Sequence, residues 1–185
     1  MMGRPMSRMP MWMAAAALLG AACDSADSGP TPGELVREGD PWPALTVRDC
    51  EGNAVSMQTL IAENDATYIT FGAQWCSACQ EEAPIINREI VDGLAERSVG
   101  AVQILIEGQP GEMPPQSLCS AWATELAARY TVLVDVDQSH LADFFGTAIA
   151  TLPLHLITTR DGIIRYKKLG DLPSDIKTLV EGWLP

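Results

Sequence analysis

A short apolar run followed by two cysteines constrains the fold of this chain more than any other stretch. Residues 66–73, ATYITFGA, have the β-branched and aromatic content of a buried strand, and Cys76 and Cys79 come shortly after it, ahead of a helix-like segment. Cys76 is therefore predicted at the amino end of a helix, where unpaired amides and the helix dipole stabilise a thiolate. Cys79 falls one helical turn later, within reach of a disulfide. Such a pair exchanges electrons, holds a metal ion or braces the fold.

Length and charge limit the classes of protein to which the chain can belong. Its 185 residues, 47% of them hydrophobic, suit one globular core and contain no internal repeat. The formal net charge of −12 argues against binding to nucleic acid or to anionic lipid by charge, because both need clustered Lys and Arg. Contact with a membrane is therefore expected to come from a separate segment.

The amino-terminal residues are predicted to supply that segment. Residues 1–22 have the pattern of a secretory signal peptide, because Arg4 and Arg8 precede an apolar run shorter than the roughly 20 residues that cross a bilayer. The sequence LGAAC, residues 19–23, resembles a bacterial lipobox. That resemblance implies cleavage before Cys23 and lipidation of this residue, whereas ordinary signal cleavage nearby would leave Cys23 as a thiol.

Lipidation would anchor the chain to a membrane of the bacterial cell envelope, facing the periplasm or the outer surface. Acyl chains hold a protein to a bilayer firmly, since each buried CH₂ contributes roughly 0.8 kcal/mol. The choice between inner and outer membrane stays open. Residues 23–40 carry the lipidated cysteine and are rich in Gly, Pro, Ser and acids, so they are predicted to be a flexible tether.

Residues 41–185 are predicted to form one α/β domain. A β-hairpin is expected over residues 41–60, with its turn at residues 51–53. Strand-like and helix-like segments then alternate, and a second hairpin and a helix close the chain, an order that predicts a central mixed β-sheet flanked by helices. The predicted strands are residues 66–73, 99–108, 130–137, 152–159 and 163–170, and the predicted helices are residues 76–97, 117–130, 139–146 and 172–184.

In combination these motifs resemble the thioredoxin superfamily, and more narrowly its TlpA/ResA-like thiol-disulfide oxidoreductases in their lipoprotein form. CSACQEEAP, residues 76–84, matches the pattern Cys-x-x-Cys-x-x-Glu-x-Pro of these envelope proteins, and Trp75 precedes it. A proline follows in the run TLP, residues 151–153, just before a hairpin. The resemblance covers about residues 41–184 and implies a thioredoxin-like fold with an N-terminal β-hairpin extension.

The resemblance also implies roles for individual residues. Cys76 would attack a partner disulfide and Cys79 would resolve the mixed disulfide, so the pair itself is the redox group and no other cofactor or metal is expected. Pro153 would be a cis-proline facing the pair, with the backbone of Leu152 presented to an extended substrate peptide; the alternative is an ordinary trans loop residue. Trp75 would shape the partner-binding surface, or else simply fill space.

Glu82 stands at the position of the family's glutamate. Its carboxylate would raise the pKa values of the thiols and take the proton of Cys79, although a solvated helix acid like Glu81 is the plain alternative. Thr70 occupies the strand position where thioredoxin has a buried acid, which leaves Glu82 as the main candidate for proton handling. Ser77-Ala78 between the cysteines departs from the commoner x-Pro, so the direction of the redox reaction cannot be carried over.

Two further cysteines and two histidines need an interpretation. Cys50 and Cys119 would form a structural disulfide if their Cα atoms lie within about 7 Å, and buried free thiols are the equal alternative. His140 and His155 raise the possibility of a copper site, but copper carriers of this fold use Cys-x-x-x-Cys spacing, and His155 is expected to end at the surface. A peroxiredoxin would need Thr three residues before its cysteine, where this chain has Ala73.

The sequence thus predicts a lipid-anchored thiol-disulfide oxidoreductase that exchanges disulfides with partner proteins through Cys76 and Cys79. The resemblance favours a reductive task, such as reducing apocytochrome c in cytochrome c biogenesis or a metallochaperone, with electrons from a membrane thiol donor. The competing class is a copper-binding or non-catalytic binding module of the same fold.

Overall fold

The computed structural model describes residues 35–138, 141–146 and 151–185. The signal peptide, Cys23, most of the predicted tether and His140 lie outside the described residues, so what the sequence indicates for them stays a prediction. No helix in the described part of the chain is long and apolar enough to span a membrane.

The domain is built on one mixed sheet of seven strands, in the order β2-β1-β5-β4-β3-β6-β7. The strands are β1 (Thr46–Arg48), β2 (Ala54–Ser56), β3 (Ala66–Ala73), β4 (Val99–Glu107), β5 (Thr131–Val134), β6 (Leu154–Thr159) and β7 (Ile164–Leu169). The helices are α1 (Met57–Ala62), α2 (Ser77–Ile86), α3 (Ser117–Glu125), α4 (Leu141–Phe145) and α5 (Ile176–Glu181). β3, β4 and β5 are parallel, and β6, β7 and the β1–β2 hairpin add antiparallel neighbours on either side. The predicted mixed sheet and N-terminal hairpin are confirmed.

β3 is an interior strand of the sheet, between β4 and β6, and is buried along its whole length. Its alternate side chains serve two hydrophobic clusters, one on each face. Tyr68 belongs to the cluster with α2, α3 and α5, whereas Ile69 and Phe71 belong to the cluster with Trp42 and Phe144. Since both faces of the strand are covered, the residues that follow its carboxyl end lie at one end of the hydrophobic core.

Two local features differ from the sequence prediction. The helix expected over residues 76–97 is α2 followed by a π-helical segment, Asn87–Asp92. The buried Asn87 side chain ties this segment to the loop after α3, because its amide donates to Ala127 O at 3.0 Å. The short helix α1 was not predicted, although its N-cap Ser56, which accepts the N–H of Thr59, is a recognisable start signal.

The folded domain begins before Pro41, so the predicted boundary of the tether is wrong at its end. Within the stretch 23–40, Val36 is only 1% exposed and packs in the core. Its N–H donates to Asp143 O at 2.8 Å, and its carbonyl accepts from Lys167 Nζ at 2.8 Å. Val36, an apolar residue in a polar stretch, is therefore buried by segments that are distant from it in sequence.

Cys50 and Cys119 form a disulfide, with an S–S distance of 2.04 Å and a Cα–Cα distance of 5.0 Å. The bond joins the turn of the β1–β2 hairpin to α3, which lies far from it in sequence. The structure thereby decides between the two alternatives that the sequence left open, and the pair is a structural cross-link.

Removing this cross-link is expected to destabilise the domain. The two cysteines are separated by 69 residues, and closing a loop of that size restricts the unfolded chain by about 4 kcal/mol. The double variant Cys50→Ala/Cys119→Ala should lose about that much free energy of unfolding in urea titrations. A loss below about 1 kcal/mol would contradict this account.

Candidate functional site

Cys76 is the N-cap residue of α2, as the sequence predicts. Its backbone is extended, with φ −78° and ψ 99°, and its Sγ accepts the N–H of Cys79 at 3.2 Å. The sulfur thus occupies the position of an N-cap acceptor, where the first amides of a helix have no partner within the helix. Once the disulfide is reduced, these amides and the helix dipole favour the thiolate form of Cys76.

Cys76 and Cys79 are joined in a disulfide, with an S–S distance of 2.09 Å and a Cα–Cα distance of 5.3 Å. Both cysteines are buried, Cys76 at 4% and Cys79 at 2% exposed, and Cys79 lies against the carboxyl end of β3. A Cβ at Gly72 would come within 3.3 Å of Cys79 Sγ and within 2.6 Å of Gln103 Nε2. Glycine at position 72 therefore leaves the space that Cys79 occupies, next to the buried side-chain amide of Gln103.

The peptide bond between Leu152 and Pro153 is cis, as predicted. Pro153 is buried just before β6, and its carbonyl accepts the N–H of Gly170 at 2.8 Å. Leu152 is half-buried and packs against the hydrophobic cluster that contains both Cys76 and Cys79. Because Leu154 pairs with Phe71 near the carboxyl end of β3, the loop lies at the same end of the sheet as the redox pair, and its part in binding a substrate backbone stays a prediction.

Trp75 stands beside Cys76 at the surface. It is 40% exposed, and its indole N–H donates to Glu107 Oε2 at 2.7 Å. The same oxygen accepts the N–H of Gly111 at 3.4 Å. One edge of the ring is thus fixed to the end of β4 while the rest meets solvent, an arrangement suited to a docking surface rather than to the core.

Glu82 is buried, whereas its neighbour Glu81 is exposed. It is only 7% exposed, and its Oε1 accepts the N–H of Leu172 at 2.8 Å. Burial disfavours the charged form and raises the pKa of Glu82 to about 7, while the Leu172 hydrogen bond works in the opposite direction. The alternative of a solvated helix acid is therefore excluded by the geometry.

A row of buried polar residues crosses the sheet on the α2 side. Thr70 on β3 pairs with Gln103 on β4 and with His155 on β6, and all three are at most 2% exposed. Gln103 Nε2 lies near Cys79, as the Gly72 geometry shows, and His155 Nε2 lies 3.7 Å from Glu82 Oε2. Gln103 was not predicted from the sequence, although a single polar residue within the apolar run of β4 could have indicated it.

The expectation that His155 reaches the surface is wrong, because β6 pairs on both sides and buries it completely. Its Nδ1 lies 2.8 Å from the hydroxyl of Tyr68, and its Nε2 lies 2.9 Å from Gly170 O. Burial lowers the pKa of His155 to about 4. Both ring nitrogens are thus engaged by protein groups. Within the residues described, no set of three His, Cys, Asp or Glu side chains is placed to hold a metal ion.

The profile of the AhpC/TSA family matches residues 39–167 of this chain. No curated protein matches the sequence significantly.

Solved structures share the fold at low sequence identity. The thioredoxin domain of a thiol-disulfide oxidoreductase from Bacteroides vulgatus is 17% identical, with a TM-score of 0.65 over 81% of this chain and 99% of that structure. A thiol:disulfide interchange protein from Chlorobium tepidum is 20% identical, with a TM-score of 0.61 over 81% and 99%. The exposed lipoprotein thioredoxin of Streptococcus pneumoniae is 18% identical, with a TM-score of 0.58 over 75% and 98%. These matches confirm the thioredoxin-like fold.

Proposed function

The chain belongs to the AhpC/TSA family, and we propose that within it the protein is a thiol-disulfide oxidoreductase that reduces disulfides of partner proteins in the bacterial cell envelope. One observation carries the proposal. Cys76 caps α2 directly after β3 and forms a disulfide with Cys79, with the cis-Pro153 loop at the same end of the sheet and the buried Glu82 one turn further along α2.

The reaction begins in the dithiol form of the pair. The Cys76 thiolate attacks one sulfur of a partner disulfide, so the partner's S–S bond breaks and its other sulfur leaves as a thiolate. Cys79 then gives its proton to the Glu82 carboxylate and attacks Cys76 Sγ. That step forms the Cys76–Cys79 disulfide and releases the second partner sulfur. Two electrons have passed to the partner, whose thiolates take protons from Glu82 and from water.

The two sulfurs have different environments, which suit them to different steps of the reaction. Burial favours the neutral thiol at both cysteines, and at Cys76 the helix N–H that its Sγ accepts opposes this effect and favours the thiolate. Cys79 therefore needs a base before it can attack. Glu82, one turn further along the same face of α2, has a pKa of about 7, which suits a group that both accepts and returns a proton near neutral pH.

Peroxide reduction is the rival activity within the same family, and the site argues against it. A peroxiredoxin has Thr three residues before its reactive cysteine, whereas Ala73 here is fully buried and carries no hydroxyl. The site instead has a second cysteine one turn away, as disulfide exchange requires. The protein should therefore reduce insulin disulfides readily and consume hydrogen peroxide only slowly.

The envelope location is part of the proposal. A stable Cys50–Cys119 disulfide suits an oxidising compartment, and lipidation at Cys23 would hold the domain at the membrane surface. The pneumococcal lipoprotein thioredoxin, which has the same fold, supports such an arrangement. The partners would then be envelope proteins such as apocytochrome c or a metallochaperone, and electrons would come from a membrane thiol carrier.

The test is a redox titration of the mature chain carrying Cys23→Ser, in glutathione and dithiothreitol buffers, with thiols counted by mass spectrometry. We expect a reversible two-electron transition of Cys76 and Cys79 with a midpoint near or below about −250 mV, while Cys50 and Cys119 stay bonded. A midpoint near about −120 mV would reverse the proposed direction, since oxidants of this fold lie there. Absence of any reversible transition would refute the proposed function.

A further inference from the structure

Three polar side chains form a buried chain of contacts beneath α2. The hydroxyl of Tyr68 lies 2.8 Å from His155 Nδ1, and His155 Nε2 lies 3.7 Å from Glu82 Oε2. Tyr68 and His155 are fully buried and Glu82 is 7% exposed. The proposed exchange reaction uses Glu82 but gives the other two side chains no task.

The hydrogen bonds decide which ring nitrogen of His155 carries the hydrogen. A backbone carbonyl only accepts, so Nε2, which lies 2.9 Å from Gly170 O, must be the donor. Nδ1 then accepts from the Tyr68 hydroxyl, which fixes the ring from its other side. The N–H end of the imidazole therefore lies on the side of the Glu82 carboxylate.

Burying these polar groups costs more free energy than filling the same space with apolar side chains. The flanking residues of β6, Leu154 and Leu156, are apolar and completely buried. An apolar side chain at position 155 would avoid burying an imidazole, and a phenyl ring at position 68 would avoid burying the hydroxyl that bonds to it. The polar pair instead connects β3 to Gly170, in the segment whose Leu172 N–H binds the Glu82 carboxylate.

We propose that His155 is a positioning residue of the exchange reaction: the Tyr68 hydroxyl holds its ring, its Nε2–H holds the Gly170 carbonyl, and the segment fixed in this way presents the Leu172 N–H to the Glu82 carboxylate that accepts the proton of Cys79. The proposal rests on the proposed function. His155 contacts no substrate and acts only through Glu82.

Other groups also act on this pair and must be considered. Those that face Glu82 or His155 are Tyr68 on β3, Lys168 on β7, Asp171 and the Leu172 N–H after β7, and Cys79 on α2. Lys168 stands directly opposite His155 in the β6–β7 register. Lys168 favours the Glu82 carboxylate and Asp171 opposes it, and both stay unchanged in every variant tested.

The test separates the two chemical steps by reacting the reduced protein with Ellman's reagent in a stopped-flow instrument. Attack by Cys76 releases one coloured thiolate, and attack by Cys79 on the resulting mixed disulfide releases the second. In His155→Leu we expect the pH midpoint of the second phase to rise by about one unit, with a roughly fivefold slower phase at pH 7. The first phase should stay within about twofold of the wild type, since the Cys76 thiolate is stabilised mainly by the helix N–H that its Sγ accepts.

Further variants distinguish positioning from a general loss of packing. His155→Gln keeps a buried N–H donor and should restore at least half of the shift. Tyr68→Phe removes only the hydroxyl and should give a smaller shift in the same direction. Thr158→Val, a matched loss of a buried hydroxyl on β6, should leave the midpoint unchanged. Adding His155→Leu to Glu82→Gln should add no further pH effect, because no carboxylate remains to be held.

Two outcomes would overturn the inference: unchanged second-phase midpoints in both His155→Leu and His155→Gln, or a shift that persists in the Glu82→Gln background. If His155→Leu does not fold, His155→Gln and Tyr68→Phe decide, and the absence of a shift in both overturns the inference. The proposed function fails separately, when the wild type releases no second thiolate or when Cys76→Ser keeps both phases.

Discussion

The Cys76→Ser variant is expected to lose protein disulfide reduction by a factor on the order of 10³ or more, while its fold and stability stay near those of the wild type. The expectation follows from the N-cap position of Cys76, whose sulfur receives the N–H of Cys79. A thiolate at that position is stabilised by the helix, whereas a serine hydroxyl is not ionised at neutral pH and cannot attack a disulfide. The rate is measured with insulin as the protein substrate.

Cys79→Ser is the matched control for that experiment. It keeps the nucleophile and loses only the resolving thiol, so it should attack a partner at a near-normal rate and stop at a mixed disulfide. Mass spectrometry of non-reduced protein should find the partner joined to Cys76. If Cys76→Ser retained the wild-type rate, or if the trapped partner were attached to another cysteine, the assignment of the nucleophile would be wrong.

The features that could be predicted from sequence are those determined by neighbours along the chain. The β-branched run of β3 and the two cysteines that follow define a strand and a capped helix within fourteen residues, 66–79. The hairpin turn around Gly52 is equally local, because its φ of 87° is a conformation that favours glycine. Such patterns need no knowledge of the rest of the fold.

The features that sequence left open or missed depend on pairing between distant segments. His155 is buried only because β6 lies between β3 and β7, which places it opposite Thr70. The burial of Glu82 depends on the chain after β7, where Leu172 supplies its hydrogen bond. Cys50 meets Cys119 because the β1–β2 hairpin pairs with β5. The alternation of polar and apolar residues along one strand contains none of this information. The environment of Glu82 and His155 is therefore visible only in the three-dimensional structure.

The same buried pair predicts how stability depends on pH. The pKa of Glu82 is raised from 4.5 to about 7, so its ionisation destabilises the fold, and stability is lost as the pH rises from about 4.5 through 7. The pKa of His155 is lowered from 6.5 to about 4, so its protonation destabilises the fold, and stability is lost as the pH falls from about 6.5 through 4. The two effects have opposite signs in nearly the same window.

In the wild type these contributions should cancel. Between about pH 4.5 and 6.5 the folded pair holds one proton on Glu82, and the unfolded pair holds one proton on His155, so folding neither takes up nor releases a proton there. Single variants should expose the two slopes. In Glu82→Gln the remaining histidine should make stability rise by about 3 kcal/mol from pH 4 to 6.5, and in His155→Gln the remaining carboxyl should make it fall by about 3 kcal/mol from pH 4.5 to 7.

The measurement is a series of urea titrations of the oxidised protein at half-unit steps from pH 4 to 8, followed by tryptophan fluorescence. Differences from the wild-type curve isolate the two groups, because every other titrating residue is common to all three proteins. Opposite slopes in the two variants would show that Glu82 and His155 carry oppositely shifted pKa values in one buried site. If both variants followed the wild-type curve at every pH, neither group would be buried in the charge state assigned here. The proton path from Cys79 to Glu82 would then lose its physical basis.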